Sequence, residues 1–192
     1  MYKSHALLLI IILASLLTGC AGNASAQVIE VTPTSVPVGA EPTAILEVVS
    51  RNPPASCPVT VPQNPPFTPP APYDALGHQG YFWYGSSSLW TELPADAVWY
   101  ALPNDSEGYS QKVVWWRDGY KSSHEPVPKL LVTGERLDAK APPLYVSTAN
   151  GVYASDIGSA MMVGVDFPTL GCWKITGKYN GAELSFVIWV AP

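Results

Sequence analysis

The sequence predicts an all-β domain, an antiparallel β-sandwich, behind an N-terminal leader and a proline-rich linker. Three observations carry that expectation. The stretch Phe167–Val190 reads as a hairpin, because two apolar-alternating runs flank Asn180-Gly181. That pair favours a two-residue type I′ turn, whose central residues both need φ > 0. The composition holds 11% aromatics, 7 Trp and 20 Pro but only 13% charged residues, which suits strands and turns and suits helical bundles badly. No segment keeps a 3.6-residue apolar period over three turns; short alternating runs recur between turn residues instead.

The hairpin predicts its own register. Tyr179 should face Ala182, Lys178 Glu183, Thr176 Ser185, Ile175 Phe186 and Trp173 Ile188. Side chains alternate between faces, so Trp173, Ile175, Leu184, Phe186 and Ile188 share the core face. The Lys178–Glu183 and Thr176–Ser185 pairs fall on the other. A one-residue slip would turn every apolar side chain toward water.

At the chain start, Lys3 and the apolar run Ala6–Leu17 precede Leu17-Thr18-Gly19-Cys20. The run is short for a membrane span. The four residues resemble the bacterial lipobox; an ordinary signal peptide with an incidental cysteine is the alternative. The resemblance implies a signal peptide over residues 1–19 and lipid on Cys20, with palmitate-type acyl chains giving stable attachment to the membrane. Ala21 follows, so the Asp of inner-membrane retention is missing, and cell membrane and outer membrane both stay open. Residues 20–72 carry twelve prolines, a density that removes donors and favours extended chain, so they read as a tether. Only Ala44–Val49 has the makings of a short element within it.

The domain is expected over residues 73–192. Its strands are Gly80–Tyr84, Leu89–Leu93, Ala97–Leu102, Lys112–Arg117, Lys129–Leu137, Leu144–Thr148 and Met161–Phe167, followed by the hairpin. Pro103–Gly108 and Asp118–Pro128 are loops. Gly171, Trp173 and Ile175 after Phe167-Pro168 look like the start of the penultimate strand of an immunoglobulin-like domain. Trp stands where Tyr is usual there, which leaves the tyrosine-corner hydrogen bond open.

With Cys20 lipidated, Cys57 and Cys172 remain, and export to an oxidising compartment makes a disulfide their natural pairing; two separate buried thiols are the alternative. Cys172 lies on the hairpin face opposite Trp173, so a bridge would pin the preceding segment to the outside of that sheet or join a second layer.

Cys57-Pro58-Val59-Thr60, Leu89-Trp90, Lys112 with Trp115-Trp116-Arg117, Leu130 through Gly134-Glu135-Arg136-Leu137-Asp138, Ala141-Pro142-Pro143-Leu144 and Phe167-Pro168 through Gly171-Cys172-Trp173 with Gly177 resemble a family of uncharacterised secreted bacterial proteins. The likeness spans nearly all of residues 57–190. It implies fold and location and no activity; both cysteines lie inside its motifs.

The chemistry-bearing residues are few. His78 and His124 lack the ligand spacing of a metal site, and no cofactor is expected. Ser122, His124 and Asp118 are near in sequence, but a triad is a matter of geometry, and no Gly-x-Ser-x-Gly elbow occurs. Trp115, Trp116, Arg117, Arg136 and Asp138 form a possible binding group, since a guanidinium stacks on indole and pairs with carboxylate; an internal Trp-Arg-Asp brace is the structural alternative. Adjacent Trp115 and Trp116 must point to opposite faces of a strand. A net charge of −5 without a basic cluster argues against nucleic acid. The expected function is a non-enzymatic binding or structural module of the cell envelope, with membrane and an envelope protein or glycan as partners. Carbohydrate binding through exposed Trp and Tyr is the alternative; a hydrolase or a protease-inhibitor-like role is weaker and rests on little more than fold.

Overall fold

A computed structural model describes residues 50–192. The expected signal peptide, Cys20, the expected tether as far as residue 49 and the segment Ala44–Val49 lie outside the described residues. Ten strands form two sheets: β1 (Tyr81–Ser86), β2 (Leu89–Pro94), β3 (Val98–Trp99), β4 (Tyr109–Trp116), β5 (Leu131–Arg136), β6 (Tyr145–Val146), β7 (Asn150–Ala154), β8 (Gly158–Phe167), β9 (Gly171–Tyr179) and β10 (Ala182–Val190). One sheet runs β1-β2-β4-β8-β6, with β7 also on β8; the other runs β3-β10-β9-β5. All pairings are antiparallel except β3 with β10. The two sheets make the expected sandwich.

The closing hairpin has the register its turn demands, from Tyr179–Ala182 through Trp173–Ile188. Asn180 and Gly181 take φ of 47° and 80°, as a type I′ turn requires. Trp173, Ile175, Phe186 and Ile188 enter the core between the sheets with Trp115, Phe167, Met161 and Val163. On the other face, Thr176 Oγ1 and Ser185 Oγ lie 2.7 Å apart and Lys178 reaches Glu183 at 3.0 Å. Trp173 donates its indole N–H to the Thr169 carbonyl at 3.0 Å. An indole thus makes the backward bond that a corner tyrosine makes elsewhere.

The boundary expected at residue 73 is corrected. Residues 50–72 are not spacer; they belt the sandwich. The Ser50 carbonyl accepts the Trp189 indole N–H at 2.8 Å. Cys57 is disulfide-bonded to Cys172 on the outside of the β3-β10-β9-β5 sheet, rather than between the sheets as in antibody domains. Thr60 exchanges bonds with Val187 at the free edge of β10, N–H to carbonyl at 2.9 Å and hydroxyl from N–H at 2.7 Å. Gln63 accepts the Gly85 N–H of β1 at 2.9 Å. Phe67 and Tyr73 then cover Trp90, with ring centroids 5.9 and 5.6 Å away. Proline suits this work: a belt poor in N–H groups crosses an apolar face with few donors left to satisfy.

Three strands differ from expectation. The third is only Val98–Trp99, because Ala97 and Ala101 both adopt positive φ (51° and 52°) and break the run on either side. The sixth shrinks to Tyr145–Val146. Asn150–Ala154 lies outside the expected strands and is β7; it continues the β6 edge along β8, where Ser147 bridges the gap by bonding Gly164 through its N–H and its hydroxyl, each at 2.9 Å. Pairing with a long neighbour makes a strand of a Gly-containing run with weak intrinsic preference.

Candidate functional site

The sheet containing β1 and β2 forks. β2 and β4 pair only at Trp90–Trp116 and Thr91–Trp115; beyond that the two strands part. The cause is local. Pro94 ends β2, Ala97 turns the chain, and Val98-Trp99 joins the opposite sheet beside β10, a strand changing sheets at a corner. Side chains serve the backbone where the ladder stops: Thr91 Oγ1 donates to the Val114 carbonyl at 2.8 Å, and Gln111 Oε1 accepts the Lys112 N–H at 3.0 Å.

Two adjoining clefts of about 510 Å³ each open in the fork and share Tyr81, Trp99 and Gln111. Trp99 is the floor, buried and held edge-on by Phe167 and Phe186 at 5.8 and 6.1 Å. Tyr81 and Tyr100 stand on the rim, 50% and 48% exposed. Glu92 takes both the backbone N–H and the ring Nδ1 of His78, each at 2.6 Å, which fixes the loop before β1. Gln79, Asp96 and Lys112 complete a polar wall. Rigid strands thus present aromatic rings, amides and charges of both signs to an open groove.

The residues grouped by sequence are not together. Trp115 is in the main core, against Gly177, where an added Cβ would lie 2.6 Å from the indole. Trp116 points the other way, as adjacency required, but is buried under Tyr73, Trp90 and Trp83 and donates to the Ile157 carbonyl at 2.8 Å. Six of the seven Trp are buried and Trp83 is half-buried, so the exposed Trp row considered for carbohydrate does not form. Arg136 and Asp138 make the brace: Nε to Oδ1 at 2.7 Å, Nη2 to Oδ2 at 3.3 Å, with Nη1 on Thr169 Oγ1 at 3.1 Å. Burial pushes the Asp138 carboxyl up, but the Arg136 bond, backbone bonds from Cys172 and its own residue, and the guanidinium charge prevail and hold it below the usual range. Arg117 lies at the far end of β9, its Cζ 5.7 Å from the Tyr179 ring.

The Ser122 hydroxyl is bonded by Ser159 Oγ at 3.1 Å, and Ser159 Oγ also accepts the Ser122 N–H at 2.6 Å; among the described residues no hydrogen bond joins His124 to Ser122 or Asp118. No cluster of three His, Cys, Asp or Glu fit to hold a metal occurs among the described residues, nor any helix long and apolar enough to cross a membrane. The fork was missed in the sequence, although Pro94-Ala-Asp-Ala between two aromatic strands was a signal that the chain leaves its sheet there. Fold and cleft define a β-sandwich with a lateral groove. Comparison with known protein families, curated proteins and solved structures returned no match for this chain.

Proposed function

We propose that this protein is a lipid-anchored module of the bacterial cell envelope that binds a ligand outside the cytoplasm without turning it over, and that the fork between β2 and β4 is the seat. The fork is the observation that carries this. It is a preformed concavity with an aromatic floor and convergent polar groups, the usual make-up of a binding site. The Leu17–Cys20 lipobox likeness supports the anchor, and the disulfide fits an oxidising compartment. Engagement of the Ser122 hydroxyl with Ser159 supports a non-enzymatic reading. Kinship with secreted bacterial proteins of immunoglobulin-like kind is part of the same reading, supported by the structural partners of the motif residues Cys57, Trp115, Arg136, Asp138, Gly171 and Cys172.

A glycan is the second reading, favoured by one observation: Tyr81 and Tyr100 flank the groove beside the Gln79 and Gln111 amides. Ring faces pack on sugar C–H groups, and amides meet hydroxyls as donor and acceptor. A photo-crosslinking residue at Gln79 or Gln111 tests the seat in growing cells, with one at Leu131 on the other sheet as control. Adducts from the fork alone are expected; none there, or equal yield from Leu131, would refute the site. Cys20→Ser should release the protein from the membrane fraction, and unchanged partitioning into detergent would refute the anchor.

A further inference from the structure

We propose a second binding site, independent of the fork: Arg117, at the end of β4, holds a compact oxyanion, a carboxylate or a phosphate, in the cleft beside the hairpin turn. The orphaned guanidinium motivates it. Nη1 of Arg117 is buried with no hydrogen-bond partner, and none of the four ion pairs among the described residues includes Arg117. A buried cationic donor left unmet calls for an explanation, and a planar guanidinium is shaped to take two oxygens at once.

The surroundings are built to keep it unmet. Two tyrosines clamp the loop after β4 to the end of β9: Tyr120 donates to the Glu125 carbonyl at 2.8 Å, Tyr179 donates to the Glu125 carboxylate, and the two rings meet edge-on at 6.1 Å. Glu125 lines the same cleft without pairing with Arg117; one of its oxygens takes the Tyr179 hydroxyl and the other the Lys129 N–H at 3.3 Å. Burial, and then that bond, push the Tyr179 hydroxyl up to about 12, so it stays a donor to Glu125 at neutral pH. Asp118 also lines the cleft, but it follows Arg117 directly in a tight turn, and its charge is felt at Tyr73 while that of Arg117 is felt at Tyr179. Lys121 and His124 lie on the rim. Two cations and two acids leave the cleft nearly neutral, so recognition is short-ranged, by hydrogen bonds rather than by field. At about 330 Å³ the space suits a single acidic group and not a chain of sugars.

The test is thermal unfolding of the full mature chain in detergent, in chloride, acetate or inorganic phosphate at equal low ionic strength. A bound anion raises Tm by linkage. Acetate or phosphate should raise Tm by a few degrees over chloride; a rise with acetate alone marks a carboxylate, one with phosphate alone a phosphate. Arg117→Gln should keep the chloride Tm and lose the rise. Arg136→Gln should lower the chloride Tm and keep the rise. No rise in the unaltered protein, a rise that survives Arg117→Gln, or an Arg117→Gln Tm as low as that of Arg136→Gln would each overturn the site.

Discussion

The two ends of β9 carry one arginine each and use it in opposite ways. At the start, Arg136 lies over Gly171, with Asp138 and Thr169 filling its donors, and the disulfide at Cys172 is the next residue. At the finish, Arg117 sits by Tyr179 with a buried nitrogen unmet. Eight residue steps, about 26 Å of strand, separate them. Both arginines have an acid close by in sequence, and spacing decides the outcome. Arg136 ends β5 and the bend after it brings Asp138, two residues on, back to the guanidinium. Arg117 and Asp118 are adjacent where β4 gives way to the turn closed by the Tyr120 N–H on the Arg117 carbonyl, and no ion pair joins them. One end is a clamp and the other is open.

Substitutions at the clamped end should be costly. Replacing both Cys57 and Cys172 by Ser opens a link across 115 residues and should lower stability by about 4–5 kcal/mol from loop entropy; urea denaturation that shows a loss below about 1 kcal/mol would mean that the belt holds without it. Trp173→Ala removes a fully buried indole and should cost about 3–5 kcal/mol, against about 1 kcal/mol for Tyr179→Phe at the open end, where one hydroxyl is lost. Equal costs would erase the contrast.

Gly171 has φ of 138° and a Cβ there would lie 2.6 Å from Arg136 Nε. Gly171→Ala should therefore cost about 1–3 kcal/mol, and adding Arg136→Ala should recover part of it; strict additivity would show that the brace is not what the methyl displaces. The smallest effect is Asp138→Asn, about 1 kcal/mol at neutral pH. The folded carboxyl is held below its unfolded value, so its contribution is present above about pH 4 and fades as pH falls through the folded value. A difference between Asp138→Asn and the unaltered protein that grows on acidification would contradict the brace.

A second contrast sets the hairpin beside the fork. Strands β9 and β10 stay paired along their full length, because a tight turn joins them and every inward residue is apolar. Strands β2 and β4 part after two residue pairs, because β2 is drawn off to the other sheet through β3. The first was legible from Asn180-Gly181 and alternation; for the second, Pro94 to Ala97 signal that the chain leaves its sheet, but not that residues 98–99 dock beside β10. Trp115 and Trp116 were separable in advance by face, but only the packing of Tyr73, Trp83 and Trp90 decided that Trp116 stays dry. The prolines of residues 50–72 misled for a physical reason. A chain short of donors suits water on all sides, and it suits an apolar face equally well.

By itself the sequence determined the β class, the hairpin register and the opposition of Trp115 and Trp116, and it made a Cys57–Cys172 bridge the expected pairing. These follow from turn chemistry, from the two-residue period and from the small number of thiols in the chain. The belt, the forked groove and the difference between the two arginines came only with the tertiary structure, because each depends on segments far apart in the chain meeting or failing to meet, and local propensity does not encode that.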